Sequence, residues 1–382
     1  MDSVIKCNQL KCRKMKTKRI FKGLLYFLGA VLAAVLILIL ILLVKSPGKP
    51  IPIVGPDGKA LPGSISRFES VVLGELEQHL VIRGQDSTKP VMLFLHGGPG
   101  SAETVLMRHY NPDIEKDFVM VYWEQRGAGK SFSSDIPAES MTMEQMIADT
   151  RELSEYLLRR FGQERLFLMG HSWGSLLGIL TAYAHPEYYH AFFGVGQVAH
   201  QYRAERVSYD WVLQQAHERG DTKGIRKLTA MEFPDSLAEN KEWMAFLGPE
   251  RNYVTRYGGA MQGESRLWPV IRIILYAPEY NLSDKIKFAR GMLFSLENLW
   301  PDVMHTNLNH AIDSVQVPVF ILQGIHDYQT PYVVAKDFYD QLQAPHKEFF
   351  RFEHSAHSPL WEETEKFNAI VRERASLYLQ PL

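Results

Sequence analysis

The chain is poor in cysteine. Of 382 residues only Cys7 and Cys12 are cysteine, and both lie in the first few turns of the N-terminal tail. No disulfide can form within the remainder, which excludes a small cystine-stapled scaffold. A hydrophobic core must hold the fold, and 46% hydrophobic residues can supply one. Internal repeats are also lacking, as is low-complexity sequence outside one apolar run. A strong excess of either charge is lacking too, since the formal net charge is −1. That average conceals two unlike regions. Residues 1–44 hold eight of the 42 basic residues and one of the 43 acidic ones, so the rest of the chain is net acidic by eight charges. No basic stripe remains on it to bind nucleic acid.

What is present begins with a membrane signal. Gly23 to Val44 runs for 22 residues without a charge. As a helix it would be about 33 Å long, enough to cross a bilayer core. A cleaved signal peptide would carry a shorter apolar region ending in small residues of A-x-A type. This run instead exits as Val44-Lys45-Ser46-Pro47. Residues 23–44 therefore read as an uncleaved anchor. Eight cations precede the run, and only Lys45 and Lys49 follow closely. That asymmetry puts the tail, residues 1–22, in the cytoplasm and the large domain outside the cell membrane. With no disulfides, the setting fits a bacterial surface. Residues 45–64 carry Pro47, Pro50, Pro52, Pro56 and Pro62. They read as an extended linker standing the domain off the membrane.

Beyond the linker the pattern is α/β. Phe68–Leu73 and His79–Ile82 alternate as an opening hairpin. Val91–Leu95, Phe118–Trp123, Arg165–Leu168 and Ala191–Val195 are short apolar runs of buried-strand type. Met143–Phe161 between them has helical spacing. This alternation predicts a mostly parallel sheet covered by helices, beginning with residues 65–198. Residues 199–313 show no strand and several amphipathic helices, such as Arg203–Arg219, Trp268–Tyr276 and Ile286–Asn298. They read as a helical cap inserted into the sheet. The core resumes over residues 314–382 with strands Val317–Leu322 and Lys347–Phe352, a helix around Tyr332–Leu342, and a closing helix from about Glu362.

The chemistry gathers around Gly170-His171-Ser172-Trp173-Gly174, a G-x-S-x-G segment between a strand and a helix. Such a turn exposes a serine hydroxyl at the top of a sheet. A nucleophilic serine needs a histidine to take its proton and a carboxylate to orient that histidine. In this topology the acid and then the histidine follow the serine, each in a loop after a late strand. Asp327 stands in Gln323–Pro331, and His357 in Glu353–Pro359. His354 competes, but His357 lies deeper in its loop among small residues. His171 reads as packing at the elbow. Backbone N–H groups must hold the developing negative charge. Trp173, next after the serine, and Gly98 in the His96–Gly100 loop are the candidates, with Gly97 as alternative. Glu124 and Arg126 read as a buried pair beneath these loops. No metal or organic cofactor is called for.

HGGPG at His96–Gly100, EQRGAGKS at Glu124–Ser131, GHSWGS at Gly170–Ser175, GIHDYQTP at Gly324–Pro331 and HSAHSP at His354–Pro359 carry a resemblance. Together they resemble the α/β-hydrolase superfamily, and within it the proline iminopeptidase group of serine peptidases. The resemblance spans residues 67–382. It implies an α/β-hydrolase fold with a helical cap, a triad at Ser172, Asp327 and His357, and oxyanion donors at Gly98 and Trp173. It also implies a small peptide as substrate. The chain departs from the group at Glu124, where DQRG is common, and its cap has no W-x-x-W-E element. An ester, lactone or amide substrate on the same fold thus stays open. So does a surface binding protein on an inactive hydrolase scaffold.

Overall fold

A computed structural model describes residues 2–263 and 268–379. Helix α1 (Asp2–Lys45) opens the chain, and its stretch Arg19–Lys45 is long and apolar enough to cross a membrane. Strands β1 (Ile65–Leu73) and β2 (Leu76–Gly84) form an antiparallel hairpin. Its two turn residues, Gly74 and Glu75, both have positive φ (49° and 67°). This is the turn geometry that matches the twist of paired strands.

The core then alternates as the apolar runs predict. β3 (Val91–Leu95) is followed by α2 (Thr104–Tyr110), β4 (Val119–Glu124) by α3 (Met143–Phe161), and β5 (Leu166–His171) by α4 (Trp173–Ala184). After β6 (Tyr189–Val195) the described residues form the cap helices α5 (Gln201–Glu218), α6 (Thr222–Thr229), α7 (Asn240–Tyr257), α8 (Trp268–Leu275), α9 (Leu282–His305) and α10 (Leu308–Ala311). The core closes with β7 (Val319–Gly324), α11 (Tyr332–Gln341), β8 (Lys347–Phe352), α12 (Pro359–Glu362) and α13 (Thr364–Ser376). The eight strands lie in the order β1-β2-β4-β3-β5-β6-β7-β8. β2 meets β4 antiparallel, and every pair from β4 to β8 is parallel.

Period-two burial explains why these runs are apolar throughout. Val91, Leu93 and Leu95 pack with Leu176, Leu177 and Ile179 of α4 on one face. Met92 and Phe94 pack with Phe367 and Val371 of α13 on the other. A strand buried on both faces has no polar position to spare. Each such Leu or Phe contributes roughly 1.5–3 kcal/mol by leaving water. α3 begins where the Thr142 side chain accepts from Gln145 N, and it ends at Gly162 in the left-handed region.

Two expectations change. Residues 45–64 are not a free spacer. The N–H groups of Gly48 and Lys49 both donate to Pro278 O in the cap, and Ile51 O accepts from Arg83 and Ser66. A proline-rich chain keeps its carbonyls free, and here a buried guanidinium uses one. Glu124 and Arg126 do not pair either. Arg126 forms a bidentate bond with Asp149 of α3 (2.8 and 3.0 Å), both side chains fully buried. Glu124 instead accepts from Lys130 N and from Tyr280 Oη, so it ties the core to the cap. The strand ends at Glu124, and the turn after it sends the two side chains to different neighbours.

Candidate active site

β5 delivers the G-x-S-x-G segment as the sequence requires. Ser172 sits between β5 and α4 at φ 55°, ψ −123°. A non-glycine residue there is strained by roughly 1–3 kcal/mol. The flanking glycines are obligatory for space: a Cβ on Gly170 would run into Gly174 O, and one on Gly174 into Leu95 O. The turn is pinned by Ser172 N donating to Val195 O (2.9 Å) and by Ser175 N and Oγ donating to Ser172 O (2.8 and 2.6 Å).

Asp327 lies three residues past the end of β7 and is 1% exposed. Its Oδ2 meets His357 Nδ1 at 2.9 Å. The same carboxylate accepts from Gln329 N, Thr330 N, Thr330 Oγ1 and Gln323 Nε2, all between 2.7 and 2.9 Å. It therefore organises its own loop and the histidine together, so the turn-forming and histidine-orienting readings of Asp327 coincide. His354 is exposed and takes no part. The structure thus brings Asp327 and His357 together. Among the described residues no hydrogen bond joins Ser172 Oγ to His357, a contact that commonly tightens only when substrate is bound.

The glycine loop narrows the choice of donor. Gly97 N already donates to Glu103 Oε2 (3.1 Å), whereas Gly98 lines the cavity above Ser172. Gly98 has φ 115°, and a Cβ there would press on the N–H groups of Gly100 and Ser101. Trp173 is the first residue of α4, where a backbone N–H has no intrahelical acceptor. Its indole is fixed from below: Nε1 donates to Gln125 Oε1 (2.9 Å). Gln125 also donates from Nε2 to His96 O and from N to His96 Nε2 (3.1 and 3.2 Å). His96 thus has one accepting nitrogen. Burial holds its pKa below the ordinary value, against Gly97 O and Glu103, which favour the charged form.

Residues outside the triad and the oxyanion donors complete the surroundings. His171 Nδ1 faces both oxygens of Glu103 (2.9 and 3.0 Å), and Nε2 faces His357 O at 3.2 Å. Burial opposes charge on His171, but the Glu103 carboxylate and the His357 carbonyl overcome it and raise its pKa. Glu362 accepts from the N–H groups of Ala356 and Ser358, on either side of His357, at 3.1 Å each. Burial pushes Glu362 up to about 7, against its backbone hydrogen bonds and with help from Asp327. A carboxylate six residues after Gly97, and one five after His357, are the only signals the sequence offers for these two.

The cap covers a cavity of about 1150 Å³. Gly98, Ser172, Trp173 and Thr330 line it from the core; Met244, Leu247, Leu296, Trp300 and Val303 line it from the cap. Half-buried Arg251 stands in its wall, paired with Glu205 and Glu250. Burial and the neighbouring Glu205 push Glu250 up to about 7, although Arg251 and Ser208 oppose this.

A parallel sheet with a strained serine elbow, a late Asp–His pair and an inserted cap defines an α/β hydrolase. The sequence matches the alpha/beta hydrolase fold family over residues 90–364, and the chain belongs to that family of hydrolase enzymes. It is 31% identical over 322 residues to the probable aminopeptidase YbaC of Bacillus subtilis (strain 168), covering 83% of this chain and 98% of that relative. It is 25% identical over 309 residues to the proline iminopeptidase of Lactobacillus helveticus (strain DPC 4571), covering 78% and 93%. The crystal structure of a Mycobacterium smegmatis proline iminopeptidase superposes with a TM-score of 0.57 at 17% identity, covering 81% and 98%. At that identity the likeness speaks for the fold alone.

Proposed function

We propose that this chain is a membrane-anchored serine hydrolase that releases residues from the N-terminus of small peptides. The observation that carries the reading is the Asp327–His357 bond beside a strained Ser172 under a closed cap. In the first step His357 Nε2 takes the Ser172 Oγ proton as Oγ attacks the scissile carbonyl carbon. The oxyanion is held by the N–H groups of Gly98 and Trp173. Asp327 keeps the His357 Nδ1 proton in place and stabilises the imidazolium. His357 then returns its proton to the leaving amine, and an ester to Ser172 Oγ remains. Water, deprotonated by the same histidine, releases the acid and restores the serine. The peptide substrate is supported by the names of the relatives and by the HGGPG and GHSWGS motifs.

A second reading keeps the chemistry and changes the substrate to a small ester or non-peptide amide. The cavity favours it in one respect. Its wall is mostly apolar, with Glu297 the one acid among its described lining residues, and the nearby carboxylates of Glu205 and Glu250 are engaged by Arg251. A panel of aminoacyl-arylamides against short-chain aryl esters separates the two. Ester turnover without arylamide turnover would sink the peptidase reading. Labelling by a fluorophosphonate that is lost in Ser172→Ala tests the shared mechanism.

Helix α1 serves as the anchor in this reading. Its charge asymmetry supports an N-terminus in the cytoplasm and a catalytic domain outside. Protease added to intact cells should then digest the domain and spare the tail.

A further inference from the structure

We infer that α8 and the first turn of α9 form a surface that lies on the outer leaflet of the membrane crossed by α1. The inference rests on the reading of α1 as an uncleaved anchor.

Helix α8 reads Trp-Pro-Val-Ile-Arg-Ile-Ile-Leu, with Arg272 its only polar side chain, yet none of its residues is buried. Trp268 is 60% exposed, Ile271 48%, Tyr276 40% and Ile286 of α9 55%. Ile273 and Ile274 gain partial cover against the small cluster of Ala102, Val105 and Phe288, and Pro269, Val270 and Leu275 are also half-buried. An apolar helix left this open is a contact surface awaiting an apolar partner.

The chain says which partner stands next to it. Gly48 N and Lys49 N donate to Pro278 O (2.9 and 3.4 Å), in the turn between α8 and α9. Gly48 also packs on Asn281, the N-cap of α9. α1 ends at Lys45. The three residues from there to Gly48 reach at most about 11 Å. The headgroup layer on each side of a bilayer core is itself about 5–8 Å thick. The α8–α9 turn is therefore held at headgroup level wherever α1 leaves the hydrocarbon.

Charge agrees with this placement. Between Trp268 and Arg290 the acids are Glu279 and Asp284, and both are buried and paired, with Arg108 and Lys130. The exposed charges left there are Arg272 and Arg290, joined by Lys45 and Lys49 at the end of α1. Cations beside exposed Trp and Tyr suit an anionic headgroup layer. Further along α9, Met292 and Leu293 are exposed and also line the cavity, so the docked surface continues into the cavity wall.

The test uses the full chain in liposomes containing phosphatidylglycerol, with Cys7→Ser and Cys12→Ser as background. An environment-sensitive fluorophore is attached at Ile271→Cys, at Leu36→Cys within α1, or at Leu237→Cys, an 82% exposed cap position. Trp268→Cys serves as a second site on α8. Spin-labelled lipid should quench the probes at 36 and 271 severalfold and leave 237 unchanged. Quenching at 36 alone, with 271 and 268 in water, overturns the docking and leaves the anchor intact. A blue-shifted but unquenched probe at 271 means a protein covers this face, a second copy included, and also overturns it. No quenching at 36 removes the anchor reading and this inference with it. Quenching at 237 as well would mean unspecific adsorption and would count against the assignment.

Discussion

His171 Nε2 lies 3.2 Å from His357 O, so the residue before the candidate nucleophile supports the loop that carries the candidate base. A carbonyl can only accept, and the other nitrogen faces the Glu103 carboxylate. Nε2 also has Ser358 Oγ at 3.3 Å, so the carbonyl and the carboxylate favour the imidazolium without being its only partners. Replacing His171 by Gln keeps a donor for one partner and leaves the other without one. kcat should fall roughly tenfold to a hundredfold, the scale of a small misplacement of catalytic groups. KM should move little, which separates positioning from binding. The sign of the pH effect follows from the raised pKa of His171. The pair stabilises fully below the unfolded value near 6.5, and the contribution is lost as pH rises through the folded pKa. The Tm gap between wild type and His171→Gln should therefore narrow on the alkaline side.

Glu362 offers the same kind of test from the opposite side of the loop. Glu362→Ala leaves the N–H groups of Ala356 and Ser358 unpaired. Each buried orphan costs about 1–3 kcal/mol. His357 should lose its fixed position, so kcat should drop with KM nearly constant. Glu362→Gln retains an acceptor and should recover most of the rate. Equal loss in both variants would count against a positioning role.

Glu103, the partner of His171, and Glu362 mark where the sequence stopped being legible. The mostly parallel sheet, the elbow and the Asp327–His357 pair could be read because each depends on local spacing: apolar runs, glycines two residues either side of Ser172, loops after late strands. Glu103, Gln125 and Glu362 act through contacts that only the closed fold creates, between segments far apart in sequence. The Glu124–Arg126 expectation failed for the same reason. Sequence proximity suggested a pair, while α3 supplied Asp149 as the better partner for a bidentate guanidinium. The linker also misled. Proline content says that a segment is extended, not whether its carbonyls find donors, and Arg83 was such a donor.

Arg126→Ala should be among the most damaging substitutions away from the cavity. It strands Asp149, which is fully buried and then keeps only Gln78 and Gln145 as donors. Breaking a buried pair from one side costs about 3–5 kcal/mol. Arg126→Ala with Asp149→Ala should recover part of that loss, because no charge is then stranded. Thermal melts of the single and double variants check both statements.

Glu124 predicts a pH slope in stability. Burial pushes it up to about 7, against its bonds from Lys130 N and Tyr280. A carboxyl raised above its unfolded value near 4.3 holds its proton more tightly when folded. Its contribution is fully present below that unfolded value and is lost as pH rises through about 7. Glu124→Gln removes the titration. Its melting temperature should vary less between pH 5 and pH 8 than that of wild type, even if one hydrogen bond is sacrificed. Tyr280→Phe, which keeps the carboxyl and removes the cap donor, should steepen the wild-type slope instead.

Asp327→Asn separates the chemistry from the scaffold. The retained Oδ1 can still accept from Gln329 N and Thr330 N, so the loop should stay folded, while the new amide meets the Gln323 Nε2 donor and should lower the Tm. The amide that replaces Oδ2 faces His357 Nδ1 as a donor. His357 must then present its lone pair to that amide and its proton toward Ser172, the wrong tautomer for a base. On the precedent of triad hydrolases kcat should fall on the order of 10⁴-fold. Fluorophosphonate labelling of Ser172 should slow in parallel, because it needs the same deprotonation. A variant that labels and turns over at the wild-type rate would remove Asp327 from the reaction and leave it only the turn it builds with Thr330.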